Sequence, residues 1–461
     1  MDVDKLMNDV LRKHPHGRDA AAIMAAALVA VDPKAATRRA LRRDGQSLFV
    51  GGRRFDLKAG GRVIIVGAGK AGAPMAEAAL EVLDDAVSAG VVIVKEGHLA
   101  ASGQRIGPVE LYEAAHPLPD ARSLAAASRL AALVDEATED DLVLALISGG
   151  GSALFTSPAP GLSLADIRDM TALLLRCGAS IREVNTLRKH CTQLGGGGMA
   201  RRAAPARTVS LIVSDVVGSP LDIIASGPTA PDPSTYADAW RVGDRYGLRG
   251  QLPLNLNEHL RRGMAGEAAE TPKPDDAIWS RVHNSIIADN RTAATAAVAA
   301  ARVRGFNPTL LTTFLEGEAR EVGRVAAAIA REMQTRVAAE GPLLCVLGGE
   351  TTVTLGGDGL GGRNQELALG AVEPLAGVEG AMLVSLATDG GDGPTDAAGA
   401  VVTGESLARS SALGYDPRDF LRRNDAYNFF APLDALLKPG PTLTNVNDLL
   451  FIFVTSPESK G

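Results

Sequence analysis

Cysteine is nearly missing: only Cys177, Cys191 and Cys345 occur in 461 residues, and none stands at a metal-ligand spacing from another. That excludes a disulfide framework and a cysteine zinc site, and fits small buried side chains in a reducing compartment. The seven histidines are scattered, with only His14 and His16 close together, which argues against a histidine metal site. Aromatic residues make up 4%, too few for platforms that stack nucleobases. There is no basic stripe. Net charge is −7 and the pI about 5.6, so nucleic acid and an anionic membrane are poor partners. Long hydrophobic runs are absent too. The longest, Ala20 to Val31, is too short and alanine-rich to span a bilayer and reads as a packed helix. The start, Met1-Asp2-Val3-Asp4, has no basic or apolar leader region, so the expected location is the cytoplasm.

Other features are those of an ordinary soluble enzyme, with 46% hydrophobic and 22% charged residues. The length suggests two or three domains. Glycine is abundant, at 51 residues, and is clustered in short loops between apolar runs. Residues 4–45 read as helical, with a break at Asp32-Pro33. Then strand and helix patterns alternate. Strands are expected at Val63–Val66, Gly90–Val94, Leu142–Ile147 and Val209–Val213, with a helix over Ala71–Leu83. Continuous apolar strands separated by helices predict a parallel sheet buried on both faces, a Rossmann-like doubly wound α/β fold. Residues 249–276, rich in proline and glycine, break the rhythm and suggest a domain boundary: 1–250, then 251–461. A second α/β run follows. Its strands are expected at Ser285–Ala288, Pro308–Thr312, Leu343–Leu347, Val384–Ala387 and Leu449–Val454, with helices at Asn290–Arg304 and Glu316–Ala339. The tail Ser456–Gly461 is expected to fray.

Two glycine loops that follow strands carry the chemical signal. The first is Gly67-Ala68-Gly69-Lys70-Ala71-Gly72; the second is Ser148-Gly149-Gly150-Gly151-Ser152. Glycine lets backbone N–H groups approach an anion, and the following helix adds partial positive charge. Gly67, Gly69 and Gly72 formally match the dinucleotide fingerprint. Its usual acidic partner is ambiguous, because the second strand ends Val94-Lys95-Glu96. Lys70 would crowd a pyrophosphate there but suits a transferring phosphoryl group; a tight turn with a surface lysine would read the same way. There is no P-loop sequence, no protein-kinase motif set and no nucleophile elbow. Ser152 therefore reads better as a phosphate-contacting hydroxyl than as a nucleophile.

Arg188 and Lys189 stand just before the Gly195–Gly198 run. Asp215 ends a strand, where ligands bind in open α/β sheets; it could hold Mg²⁺, take a hydroxyl proton, or simply make a turn. In the second half, Gly348-Gly349-Glu350 ends a strand, and a glycine-rich loop from Gly356 leads to Arg363, Asn364, Gln365 and Glu366. The segment Thr388 to Gly399 carries Asp389, Asp392 and Asp396.

Together these segments resemble the glycerate 2-kinase family, whose C-terminal half carries a MOFRL domain. The matching segments are GAGKA at 67–71, SGGGSAL at 148–154, SDVVGSPLDIIASGPT at 214–229, GGET at 348–351, GGRNQELAL at 361–369, ATDGGDGPTDAAGA at 387–400 and TNVNDL at 444–449. Two departures touch loop detail: Gly195–Gly198, where the family tends to have Lys-Gly-Gly, and Leu443, where glycine is commoner. The resemblance implies an N-terminal Rossmann-like domain, a C-terminal α/β domain of MOFRL type, and a site in the cleft between them. It implies ATP-dependent phosphorylation of D-glycerate to 2-phosphoglycerate with Mg²⁺, and a homodimer is compatible with it. Lys70 and Arg363 match the basic pair of such enzymes, with Asp215 as the third catalytic candidate. Gly67, Gly69, Ser148, Gly149, Gly150, Ser152, Arg188, Asn290, Glu350 and Asn364 are the expected substrate and phosphate contacts. Asp215, Asp389 and Asp392 are the expected metal ligands.

Two rivals remain at this stage. An NAD(P)-dependent hydroxypyruvate reductase would use the GAGKAG loop for a dinucleotide, but does not need the carboxylate-rich C-terminal segment. A non-catalytic sugar-acid or nucleotide sensor would bind ligand and release no ADP.

Overall fold

The computed structural model describes residues 1–101 and 103–456, so the expected fraying beyond Ser456 lies outside the described residues. The chain divides into two compact units. Pro33–Ile287 forms one; Met1–Asp32 together with the chain from Ala288 onward forms the other.

The unit Pro33–Ile287 opens with a helix, Pro33–Ala40, whose first residue is a proline, as a helix start tolerates. The helical stretch ends at Ala40 rather than at 45. It runs into an antiparallel meander of β1 (Leu41–Asp44), β2 (Ser47–Val50) and β3 (Arg53–Asp56). Gly51 and Gly52 both have positive φ (55° and 86°), which the two-residue turn between β2 and β3 requires. Leu48, Val50 and Phe55 are its buried face.

The main sheet of this unit comprises β4 (Val63–Ala68), β5 (Val87–Lys95), β6 (Arg105–Ile106), β7 (Val109–Ala114), β8 (Leu142–Ile147), β9 (Arg207–Val213) and β10 (Val282–Ala288). Their spatial order is β10-β9-β8-β4-β5-β7-β6. The run β9-β8-β4-β5-β7 is parallel, and β6 is antiparallel at one edge. Every residue of β4 and β8 is buried, as expected of apolar strands covered on both faces. From β4 the chain builds outward through β5 and β7, then returns to lay β8 and β9 on the other side. The strand order therefore reverses between β4 and β8, which is where open α/β sheets bind ligands.

β10 joins this first sheet, although its sequence reads as the start of the second run. Its polar, half-exposed residues His283, Asn284 and Ser285 suit an edge strand. The proline- and glycine-rich stretch 249–276 does not end the unit either. Helix Leu254–Met264 inserts Leu256 and Leu260 into an apolar cluster with Leu174, Leu187, Cys191 and Val242. That burial holds the segment despite its turn-rich composition.

The other unit has a mixed sheet of β11 (Asn307–Leu315), β12 (Leu343–Gly349), β13 (Ala381–Ala387), β14 (Gly399–Thr403), β15 (Leu436–Leu437) and β16 (Asp448–Val454). The order is β11-β12-β16-β13-β14-β15, and β11–β12 is its parallel pair. β16 lies antiparallel between β12 and β13 and is buried along its length. Helices Asn290–Val303, Ala319–Glu340 and Arg363–Leu375 cover the sheet. Helix Gly17–Ala30 packs on Asn290–Val303, which explains why the first 32 residues belong here. Ala20, Ala21 and Ala27 on one helix and Ala293, Ala297 and Ala301 on the other are fully buried, so the two axes can approach closely. Among the described residues, no single helix is long and apolar enough to cross a membrane.

Candidate active site

The two glycine loops emerge side by side from β4 and β8, at the point where the strand order reverses, and they are laced together. The Lys70 amide donates to the Gly149 carbonyl (2.9 Å), and the Ala71 amide donates to Ser148 Oγ (3.0 Å). Ser148 N–H donates in turn to the Ala68 carbonyl (3.1 Å). Gly69, at φ 142°, could carry no side chain: a Cβ there would lie 2.0 Å from Ser148 Oγ. A Cβ at Gly149 would lie 2.1 Å from Asp215 Oδ2, so the bare second loop lets the Asp215 carboxylate close in. Ser148 is buried and spent on bracing the first loop. Helix Gly72–Leu83 follows the first loop and adds its N-terminal partial charge.

Cations gather around these loops. Lys70 and Arg188 form no ion pair among the described residues. Burial alone lowers the Arg188 guanidinium to about 10. Its neighbour in sequence, Lys189, is different: it is buried between Asp222 (3.2 Å) and Asp232 (3.3 Å) and is structural. Burial pushes the Asp215 carboxyl above its ordinary range, while the charge of Lys70 pulls it back. His116 lies against Gly150, where a Cβ would meet its Nε2 at 3.1 Å. Burial, reinforced by Lys70, Lys95 and Arg188, lowers its imidazole to about 4. His98 Nδ1–H donates to the Lys70 carbonyl (2.9 Å), and burial lowers its imidazole likewise. A desolvated guanidinium and an ammonium without carboxylate partners, beside neutral imidazoles and open glycine backbone, make an anion site.

Ser152 opens onto the same loop. Its hydroxyl lies 2.9 Å from Ser226 Oγ. Ser226 also contacts Asn185 Oδ1 (3.1 Å), which accepts from Arg188 Nη1 (3.3 Å). Ala225 and Ser226 both hold positive φ (50° and 60°), a left-handed pair of non-glycine residues that aims the serine inward. Asn185, Ser226 and His116 escaped the sequence-based selection. Ser226 lies inside the 214–229 segment already singled out, Asn185 stands three residues before Arg188 on the same helix, and His116 stands alone before a proline with no pattern around it.

The dinucleotide reading finds little support here. β5 ends on Lys95, and the adjoining Glu96 is paired with Arg122 (2.9 Å) instead of standing open to a ribose.

In the other unit, Arg363 opens the helix Arg363–Leu375. Its Nε and Nη2 donate to Asp448 (2.5 and 3.2 Å), and Nη1 pairs with Glu350 (2.7 Å). Burial alone would lower its pKa, but Asp448 and Glu350 outweigh that and hold it fully charged. Two N–H bonds are thus engaged on Asp448, and Nη1 faces the Glu350 carboxylate. Burial raises the Asp448 carboxyl, with Arg363 opposing. Glu350 also accepts from Asn447 Nδ2 (2.9 Å).

Several expected contacts have internal work instead. Asp392 caps the same helix: its two oxygens accept from the Asn364 and Gln365 amides (3.1 and 2.9 Å). Burial raises its carboxyl to about 6. With both oxygens on backbone N–H groups, Asp392 does not fit a metal ligand. Asn364 is buried and accepts from Ser385 Oγ (2.6 Å). Asn290 is buried and donates to the carbonyls of Val446 and Asp448 (both 2.9 Å), fixing the entry to β16. Both asparagines thus carry hydrogen bonds within the fold. Asp389 makes a local turn to the Gly391 amide (3.2 Å). The loop from Gly356 is no anion cradle: a Cβ at Gly357 or Gly359 would lie 2.5 Å from the Arg423 backbone, so these glycines permit close packing. Among the described residues, no three His, Cys, Asp or Glu side chains cluster as a ready metal cage.

Residues 19–261 match a family described as a domain of unknown function, DUF4147, and residues 343–448 match the MOFRL family. A D-glycerate 2-kinase of Thermotoga maritima is 45% identical over 390 residues, covering 84% of this chain and 90% of that one. A protein of Agrobacterium vitis, provisionally named a hydroxypyruvate reductase, is 44% identical, with 86% and 87% covered. The crystal structure of a glycerate kinase from Thermotoga maritima superposes with a TM-score of 0.82 at 41% identity, covering 94% of this chain and 98% of that one. Its two-unit α/β architecture is that of this chain. With near-complete coverage at this identity, the chain belongs to the glycerate 2-kinase family, with its MOFRL segment in the C-terminal half.

Proposed function

We propose that this chain transfers the γ-phosphoryl group of ATP to the 2-hydroxyl of D-glycerate, giving 2-phosphoglycerate and ADP in the cytoplasm. The observation that carries this reading is the pair of interlaced glycine loops at the sheet's reversal point, flanked by Lys70 and Arg188, which form no ion pair among the described residues. Phosphoryl transfer asks a protein mainly for positioning and for charge stabilisation, and this is a preorganised positive site. Lys70 neutralises charge that grows on the transferring group. Arg188 holds substrate anion, and its own burial cost is relieved when it does. Arg363, oriented by Asp448 and Glu350, offers its guanidinium to substrate. The glycine loops give bare backbone next to these charges.

Asp215 is the candidate base for the attacking hydroxyl or the candidate Mg²⁺ ligand. Mg²⁺ takes one or two carboxylates and completes its shell with phosphate oxygens and water, so the lack of a protein cage is compatible with it. Burial disfavours the charged form of Asp215, which a cation would stabilise, and Asp389 is the second candidate. Bound with ATP, Mg²⁺ would neutralise phosphate charge.

The test is direct. Supplying D-glycerate with Mg-ATP should release ADP, and adding enolase without phosphoglycerate mutase should yield phosphoenolpyruvate. ADP release without phosphoenolpyruvate would refute the 2-position. Oxidation of NADH or NADPH by hydroxypyruvate, with no ADP from glycerate, would replace the kinase reading with the reductase one.

A further inference from the structure

The hydrogen-bond chain from Ser152 through Ser226 to Asn185 has a polarity that its end groups dictate. Asn185 Nδ2 donates to the Ile223 carbonyl (3.2 Å), which can only accept. Arg188 Nη1, which can only donate, meets Asn185 Oδ1. Both contacts orient the amide the same way, so its oxygen faces Ser226. Ser226 Oγ has one proton, and Asn185 Oδ1 cannot supply another. Ser226 therefore donates to Asn185 (3.1 Å) and receives the hydroxyl proton of Ser152 (2.9 Å). Ser226 is 2% exposed and cannot turn to water for an alternative. Ser152, which is partly exposed, is left presenting lone pairs to the site.

A hydroxyl in that state repels a phosphate oxygen and attracts a donor. The chain also ends on an amide, which takes up no proton. It cannot deprotonate an attacking hydroxyl, and suits one that keeps its hydrogen. We propose that Ser152 accepts a hydrogen bond from the non-reacting hydroxyl of a dihydroxy acid, with Ser226 and Asn185 as the positioning residues that set its direction. Resting on the kinase reading above, this makes Ser152 a specificity determinant for the 3-hydroxyl of glycerate, in place of a phosphate contact.

D-lactate, which keeps the carboxylate and the 2-hydroxyl but lacks the 3-hydroxyl, is the probe. Its inhibition constant against D-glycerate is compared with the KM of D-glycerate in the wild type, Ser152→Ala and Ser226→Ala, with thermal melting as the check on folding. Ser152→Ala should raise the KM of D-glycerate about tenfold, the scale of one neutral hydrogen bond, and leave the D-lactate inhibition constant within twofold. Ser226→Ala, which frees the Ser152 proton, should narrow the same discrimination in part. Equal weakening of both acids by Ser152→Ala, or a shift in the KM of ATP instead, would overturn the proposal. If the wild type releases no ADP from D-glycerate, the kinase reading fails first; if it does and discrimination is unmoved, only the role of Ser152 fails.

Discussion

Removing the Lys70 ammonium separates a site built for anion chemistry from a turn that happens to carry a lysine. Lys70 is held in place by its backbone, through its amide on the Gly149 carbonyl, and that bond survives any side-chain change. Its ammonium forms no ion pair among the described residues, and its side chain is partly exposed, so truncation should cost the fold at most about 0.5 kcal/mol. For a domain of this size that is roughly a 1–2 °C fall in Tm. The effect on turnover should be far larger. Losing one preorganised charge aimed at a transition state costs about 3–4 kcal/mol, or a factor of roughly 10²–10³ in kcat. Arg188 remains nearby, which favours the lower end.

A second readout follows from Asp215. Lys70 opposes the upward push that burial exerts on this carboxyl. Without the ammonium, the carboxyl rises further. If ionised Asp215 is needed, the acidic limb of kcat/KM must move to higher pH in Lys70→Ala and in Lys70→Met, which keeps the apolar stem. Steady-state ADP release at saturating substrates gives kcat, and at limiting D-glycerate across pH gives kcat/KM, both on variants with native-like melting curves. Near wild-type kcat in Lys70→Ala would refute the charge argument, and an unmoved acidic limb would remove Asp215 as the group that titrates.

Gly69→Ala should destroy activity and destabilise the unit by more than about 2 kcal/mol, because its Cβ would collide with Ser148 Oγ at a φ that alanine avoids; an active, stable variant would contradict the interlacing of the loops. Asp392 has a folded pKa of about 6, above its ordinary 3.8, so the native state holds its proton more tightly than the unfolded chain does. Stability from this group is thus present below about pH 4 and falls as pH rises to 6, by on the order of 2–3 kcal/mol. Urea titrations at pH 4.5 and 7 should accordingly show Asp392→Asn gaining on the wild type at the higher pH, and a constant difference would disprove it. Leu443, exposed at φ 63°, sits in the left-handed region that glycine prefers. Leu443→Gly should therefore be neutral or stabilising by up to about 1 kcal/mol in the same titration, against the usual penalty for adding glycine; a loss beyond that would show that the loop carries no strain.

The parallel core was legible because its strands are apolar along their whole length. Leu142–Ile147 could be bounded to the residue, and Val63 and Asn290 begin their elements where the pattern places them. The errors came from elements whose identity depends on distant partners. The expected helix 4–45 takes in Leu41–Asp44, although Gly45-Gln46 and Gly51-Gly52 are the hairpin turns; the Ala-Arg periodicity before them is the stronger signal. Nothing local shows that Gly17–Ala30 packs beside Asn290–Val303, hundreds of residues away, or that β16 runs antiparallel between β12 and β13. A buried strand looks the same from either direction. Periodicity reports burial, and topology decides which neighbour provides it.

The same distinction governs the site. Glycine-rich loops drew attention at 67–72, 148–151 and 356–362, yet only the first two frame an anion site, because the third spends its missing side chains on the Arg423 backbone. Arg188 and Lys189 are adjacent cations on one helix, one turned to two carboxylates and the other to none. Composition cannot separate these cases, since each pair shares residue type and spacing. What separates them is whether a charge or a bare backbone already has its partner within the fold. Folding spends Lys189 on two carboxylates, while Arg188 is desolvated and donates to the neutral Asn185 amide.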